Sequence, residues 1–119
     1  MAKLVISPYS KLFWGVSDSS KIFYYRQNIE GVLVAISKML ALFRQCYVRA
    51  TWATVGMVMC CNHKQWREIR STLMPDCFRQ GCSNYSFYTV SRENPSLFFA
   101  RPLVKQILKT PGQELVTHT

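Results

Sequence analysis

The stretch Asn28–Cys61, NIEGVLVAISKMLALFRQCYVRATWATVGMVMCC, decides the fold, because its hydrophobic period changes part-way along. Asn28 reads as an N-cap, since its side-chain oxygen can take a free N–H of a first helical turn. Val32, Ile36, Met39, Leu40, Phe43, Cys46, Tyr47 and Ala50 then recur at three-and-four spacing. That spacing predicts an amphipathic helix over 28–50, with Ser37, Lys38, Arg44, Gln45 and Arg49 on its polar side. The favoured use of the apolar face Val32, Ile36, Met39, Leu40, Phe43 and Tyr47 is core packing; the sharper one is docking onto a groove or membrane surface. From Thr51 to Cys61 no charge occurs. A membrane span over 43–61 needs about twenty mainly apolar residues, and Arg44 and Arg49 interrupt that window. A buried strand over Thr54–Met59 is preferred.

Outward from there, the N-terminal 27 residues form an arm of lysine-led apolar units: Lys3-Leu4-Val5-Ile6, Lys11-Leu12-Phe13-Trp14 and Lys21-Ile22-Phe23-Tyr24. Turn-formers separate them, so they read as short strands or extended chain. The arm holds one acid, Asp18, and weakly resembles an organelle-targeting segment. On the other side, Asn62 and Gln65 have the spacing of a capping box before Trp66, Ile69, Leu73 and Met74. Residues 76–84 read as a loop and Tyr85–Ser91 as a strand by alternation. Asn94-Pro95 is a turn and Leu97–Arg101 its returning strand. Pro102–Lys109 is a short helix, Pro111-Gly112 a turn and Glu114–Thr117 a last strand. Residues 51–119 are thus expected to form one small α+β domain behind the arm and the helix.

The chain has 119 residues, room for one domain, and a net charge of +9 from fifteen basic and six acidic side chains. Charged residues are 18% of the total, against about 25% in an average soluble domain. Few charges, nearly all of one sign, point to partners that cover the surface: RNA, acidic protein faces or anionic lipid. The cysteines, Cys46, Cys60, Cys61, Cys77 and Cys82, are odd in number and fit no disulfide framework, so reduced thiols are expected. Asn84-Tyr85-Ser86 matches a glycosylation acceptor, a triplet common by chance.

Cys61, His63, Cys77 and Cys82 are the weak candidates for a zinc site, at spacings outside the usual pairs. His63 and His118 are the only histidines, the acids are scattered and no glycine-rich phosphate loop exists. No nucleophile–base set can be assembled, so catalysis, a cofactor and a small-molecule substrate are not expected. For RNA or partner contact the candidates are Arg79, Tyr85, Tyr88, Arg92, Arg101 and Lys105, where guanidinium groups and rings alternate around a hairpin.

The order strand, cysteine, helix, hairpin and last strand is carried by Val55–Cys60, Trp66–Ile69, Phe87–Arg92 and Asn94–Arg101. It resembles the thioredoxin-like domain shared by several mitochondrial ribosomal proteins and a small accessory subunit of respiratory complex I. The resemblance covers roughly the C-terminal half. It implies a thioredoxin-like fold, a mitochondrial location at the inner membrane or in the matrix, and no catalytic role for Cys60. The expected function is a non-catalytic accessory subunit of a respiratory-chain complex, complex I first, held by other subunits and possible lipid contact. The alternative is a mitochondrial ribosomal protein that grips rRNA through the basic hairpin, and the weakest is a zinc-stabilised module.

Overall fold

Residues 4–15, 22–69 and 94–118 are described in a computed structural model of the chain. The centre is the strand β2 (Ala50–Val55), flanked by β1 (Tyr9–Ser10) and β3 (Gln113–His118). The three strands are all parallel, in the order β1-β2-β3. Parallel neighbours need crossovers. The helix α1 (Arg26–Gln45) lies between β1 and β2 in sequence, and the helices α2 (His63–Ile69) and α3 (Arg101–Lys109) lie between β2 and β3. Helices and strands therefore mix in one α+β unit, as the sequence predicts.

Register sorts the side chains of β2. Ala50, Trp52 and Thr54, all buried, share a face with Gln113, Leu115 and Thr117 of β3. Phe43 of α1 lies against Trp52 (centroids 6.2 Å apart), and Ser37 of α1 donates to Gln106 of α3 at 3.0 Å. Both crossover helices therefore cover this one face. The opposite face holds Tyr9, Thr51, Ala53, Val55, Glu114, Val116 and His118, where Thr51 Oγ1 donates to Glu114 Oε2 at 2.9 Å. Ser10 and Thr54 stand opposite each other on the covered face, and neither buried hydroxyl has a hydrogen-bond partner among the described residues.

A second packing unit sits beyond the C-terminal ends of β1 and β2. The 3-10 turn Leu12–Gly15 stacks Phe13 on Phe98 (5.0 Å), and the Trp14 indole donates to the Phe98 carbonyl at 2.9 Å. Trp66 of α2 and Phe99 close the cluster. Val58, in the 3-10 turn Gly56–Met59, accepts from Ala100 N at 2.9 Å and ties the two halves together.

Several sequence expectations change in position. The helix expected over 28–50 starts at Arg26, because the 3-10 turn Ile22–Tyr25 runs straight into it; Asn28 lies inside the first turns and caps nothing. It ends at Gln45 in a Schellman closure: Val48 N donates to Phe43 O at 2.8 Å and Tyr47 N to Arg44 O at 3.5 Å. Tyr47 therefore leaves the helical face, takes φ 54° and is 94% exposed. The strand expected over Thr54–Met59 is displaced to Ala50–Val55. There Thr51 N and Ala53 N donate to Ile6 O and Pro8 O, and the chain winds up from Gly56. The strand expected over Leu97–Arg101 is replaced by the 3-10 turn Pro95–Leu97 and the start of α3. Asn94 accepts from Ser96 N at 3.1 Å and Pro95 O takes the N–H of Phe98 and Phe99, which begins a helical turn. The loop at 76–84 and the strand Tyr85–Ser91 lie outside the described residues.

The Asn62–Gln65 capping pair is observed: Asn62 Oδ1 accepts from Gln65 N at 2.9 Å and Gln65 Oε1 from Cys61 N at 2.7 Å. The Pro111-Gly112 turn is also observed. Gln113 N donates to Thr110 O, and Gly112 at φ 78° takes the left-handed position that a type II turn requires. Gln113 then locks the strand: its Oε1 accepts from the Trp52 indole and its Nε2 donates to Val48 O, each at 2.9 Å.

Two outcomes follow, both read by urea unfolding. Tyr47→Gly removes the left-handed penalty on a non-glycine residue without losing burial, and is expected to stabilise by about 1 kcal/mol. Gln113→Leu leaves the buried Trp52 N–H and the Val48 carbonyl unmatched, and is expected to cost about 1–3 kcal/mol.

Candidate functional site: a basic cleft between two helices

The helices α1 and α3 both return antiparallel to the strands, so their C-terminal ends lie side by side. Between them is a cleft of about 550 Å³. Its apolar floor is Leu40, Ala41, Pro102 and Pro111; its polar rim is Ser37, Gln106 and Thr110; and its charges are Arg44, Lys105 and Lys109. No carboxylate lines it. Helical spacing explains the grouping. Ser37 and Arg44 lie two turns apart on α1, and Lys105 and Lys109 one turn apart on α3. Arg44 and Lys109 occupy the last turns of their helices, where they offset the partial negative charge of the exposed carbonyls. Lys105 lies a turn earlier and adds charge beyond that need.

The cleft runs along the helix layer between α1 and α3, away from the place where parallel folds usually do their chemistry. Ligands in open parallel sheets bind beyond the carboxyl ends of the strands, where the strand order reverses. Here the order does not reverse, and the carboxyl ends of β1 and β2 meet the Phe13–Trp14–Phe98 cluster. The cleft itself brings together no nucleophile, base and orienting group. It can attract and hold an anionic group, with apolar contact beneath.

The predicted contact residues separate. Lys105 is in the cleft. Arg101 does not line the cleft: it lies one turn before Lys105 at the start of α3, with its guanidinium 3.0 Å from Cys61 Sγ. Arg79, Tyr85, Tyr88 and Arg92 lie outside the described residues, as do Cys77 and Cys82. Of the proposed docking-helix face, Ile36, Leu40 and Phe43 are buried in the chain's own core, and Val32 and Met39 pack against it. That is the core-packing use of the helix; Tyr47 is excluded from the face by its turn. Among the described residues no helix is long and apolar enough to cross a membrane. Arg44 and Lys109 were not singled out from the sequence. Matching basic residues at helical spacing on the two helices is the signal that would have found them.

The other chemically distinctive spot is the start of α2. His63 stacks on Trp66 (5.7 Å), and Cys61 is exposed beside Arg101. Among the described residues no group of three metal-ligating side chains occurs. Cys60 is buried. Burial pushes its thiol up from the ordinary range, the neighbouring Cys61 adds to the rise and Arg101 opposes it.

A thiol that ionises less readily in the folded chain contributes stability that is complete below the ordinary thiol pKa, about 8.5, and is lost as pH rises through the raised value. The stability gap between the native chain and Cys60→Ala, followed by denaturant titration from neutral to alkaline pH, is therefore expected to narrow with rising pH. A gap that holds constant or widens contradicts the assignment.

Comparison of the chain with protein-family models, with curated proteins and with solved structures finds no match in any of the three.

Proposed function

We propose that this chain is a non-catalytic structural subunit of a large mitochondrial assembly, and that it docks there on ribosomal RNA through the cleft between α1 and α3. The observation that carries the reading is the lining of that cleft: Arg44, Lys105 and Lys109 converge with no carboxylate among them. Phosphates are the anions that such a spaced set of cations suits, and the chain's +9 balance supplies long-range attraction to them. The mitochondrial setting rests on the sequence resemblance alone, since of its pieces Val55–Cys60 and Asn94–Arg101 fold mainly as turns and a helix start, and Phe87–Arg92 lies outside the described residues. The cleft reverses the order of the two assemblies expected from the sequence, because its charges favour the RNA-containing one.

The accessory subunit of a respiratory complex is the second reading, and a different observation favours it. Leu4, Val5 and Tyr9 are 87%, 80% and 63% exposed along the β1 side of the sheet. An all-parallel sheet is normally covered on both faces, so neighbouring subunits are a natural cover for these residues.

Binding of the purified chain to a structured rRNA fragment, measured across a salt series, separates the two. The docking reading expects log K to fall with log salt at a slope of about −2 to −3 for three phosphates neutralised. Replacing Arg44, Lys105 and Lys109 together by Gln is expected to remove most of that slope while the folded spectrum stays unchanged. A slope unaffected by the triple change sinks the cleft as the RNA site. Absence of binding, with co-migration in an RNA-free membrane complex under mild detergent, moves the assignment to the respiratory reading.

A further inference from the structure

The lining of the cleft between α1 and α3 is of two kinds, and phosphate accounts for only one of them. Arg44, Lys105 and Lys109 suit phosphates. Beneath them Ala41, Pro102 and Pro111 are apolar and exposed, around a volume of about 550 Å³. A volume of that size lies in the range that holds one small ligand. An RNA duplex carries its phosphates outside and its bases stacked within. It can meet the three cations, but it leaves the apolar floor to water. A nucleotide whose base is turned out of the stack brings both halves, a charged phosphate and a flat ring.

Two further features fit a single unpaired nucleotide. Lys105 and Lys109 are one turn apart, about 6 Å along the axis of α3. That is on the order of one nucleotide step of an unstacked strand, so the phosphates on either side of one base can each find a cation. Gln106 lines the same cleft, with its Oε1 held by Ser37 Oγ at 3.0 Å. Its Nε2 has no partner among the described residues. An amide held at one end and free at the other offers two N–H donors to the edge of a base.

We propose that the cleft takes one unpaired nucleotide of an RNA, as found in a bulge or a loop. Its base lies on Ala41, Pro102 and Pro111, and the Gln106 amide meets the edge of that base. Its flanking phosphates pair with Arg44, Lys105 and Lys109. Attraction then comes from the charges, and the choice of RNA structure comes from the floor. The inference rests on the RNA reading of the same cleft and adds which feature of the RNA the cleft selects.

The test compares two RNA stems of equal length, one fully paired and one with a single-nucleotide bulge, by fluorescence anisotropy of the full chain across a salt series. The bulged stem is expected to bind about tenfold tighter, with nearly the same salt slope, because the phosphate number hardly differs. Ala41→Gln fills part of the floor at an exposed helical position without changing charge. It is expected to remove the preference while the slope and the circular dichroism stay as they were. Gln106→Ala, on the other helix, is expected to weaken binding of the bulged stem and leave the paired one unchanged. Stems that bind equally through Arg44, Lys105 and Lys109 overturn the inference and leave the RNA reading standing. A bulge preference that survives both substitutions also overturns it. So does adenosine monophosphate that binds as tightly as the bulged stem, since the flanking phosphates then add nothing. Binding to neither stem overturns the RNA reading and the inference with it.

Discussion

The structure depends on how the indole N–H of Trp52 is satisfied. Trp52 is fully buried in the middle of the central strand, so an unmatched donor there would carry a cost comparable to a lost hydrogen bond. Gln113 supplies the acceptor from the first position of β3, 61 positions along the chain. The same amide reaches back to Val48, just after α1 closes. One side chain therefore sets the register of β3, the exit of α1 and the seat of the largest core residue. The rest of the layer follows: Phe43 packs on Trp52, and α3 is drawn beside α1 because β3 must begin at Gln113.

The molecule divides its surface by function as well as by packing. The helix layer presents cations at the ends of α1 and α3, where backbone carbonyls already favour them. The sheet presents a modest apolar face. The carboxyl ends of β1 and β2, where parallel folds commonly do chemistry, are filled by Phe13, Trp14 and Phe98.

Local signals in the sequence proved legible where the chemistry is local. The Asn62–Gln65 cap, the Pro111-Gly112 turn, the helix over 102–109 and the last strand all depend on residues within a few positions of one another. The apolar spacing of α1 was equally clear. Its boundaries were not, because Tyr47 ends it in a left-handed conformation that glycine would have announced and tyrosine conceals. The strand near Thr54 was displaced because its pairing is set by Ile6, Pro8 and Gln113, all remote in sequence. Leu97–Arg101 looked like a strand because its aromatics suit one; burial in a cluster with Phe13 and Trp14 uses them differently. The cleft was hidden for the same reason, since Arg44 and Lys105 are brought together only by the two crossovers.

The parallel order of the strands has a consequence for synthesis. With every neighbour reached by a crossover, the described strands include no pair that can form from adjacent segments. The β3-facing side of β2 must wait for Gln113, 61 positions after Trp52. At about 5–20 residues per second, several seconds pass between the two on a translating ribosome. Throughout that interval Trp52 and its neighbours emerge with one hydrogen-bonding edge open, a substrate for holding chaperones. The final fold is then reached late and nearly all at once, when β3 docks, in the manner of high-contact-order proteins.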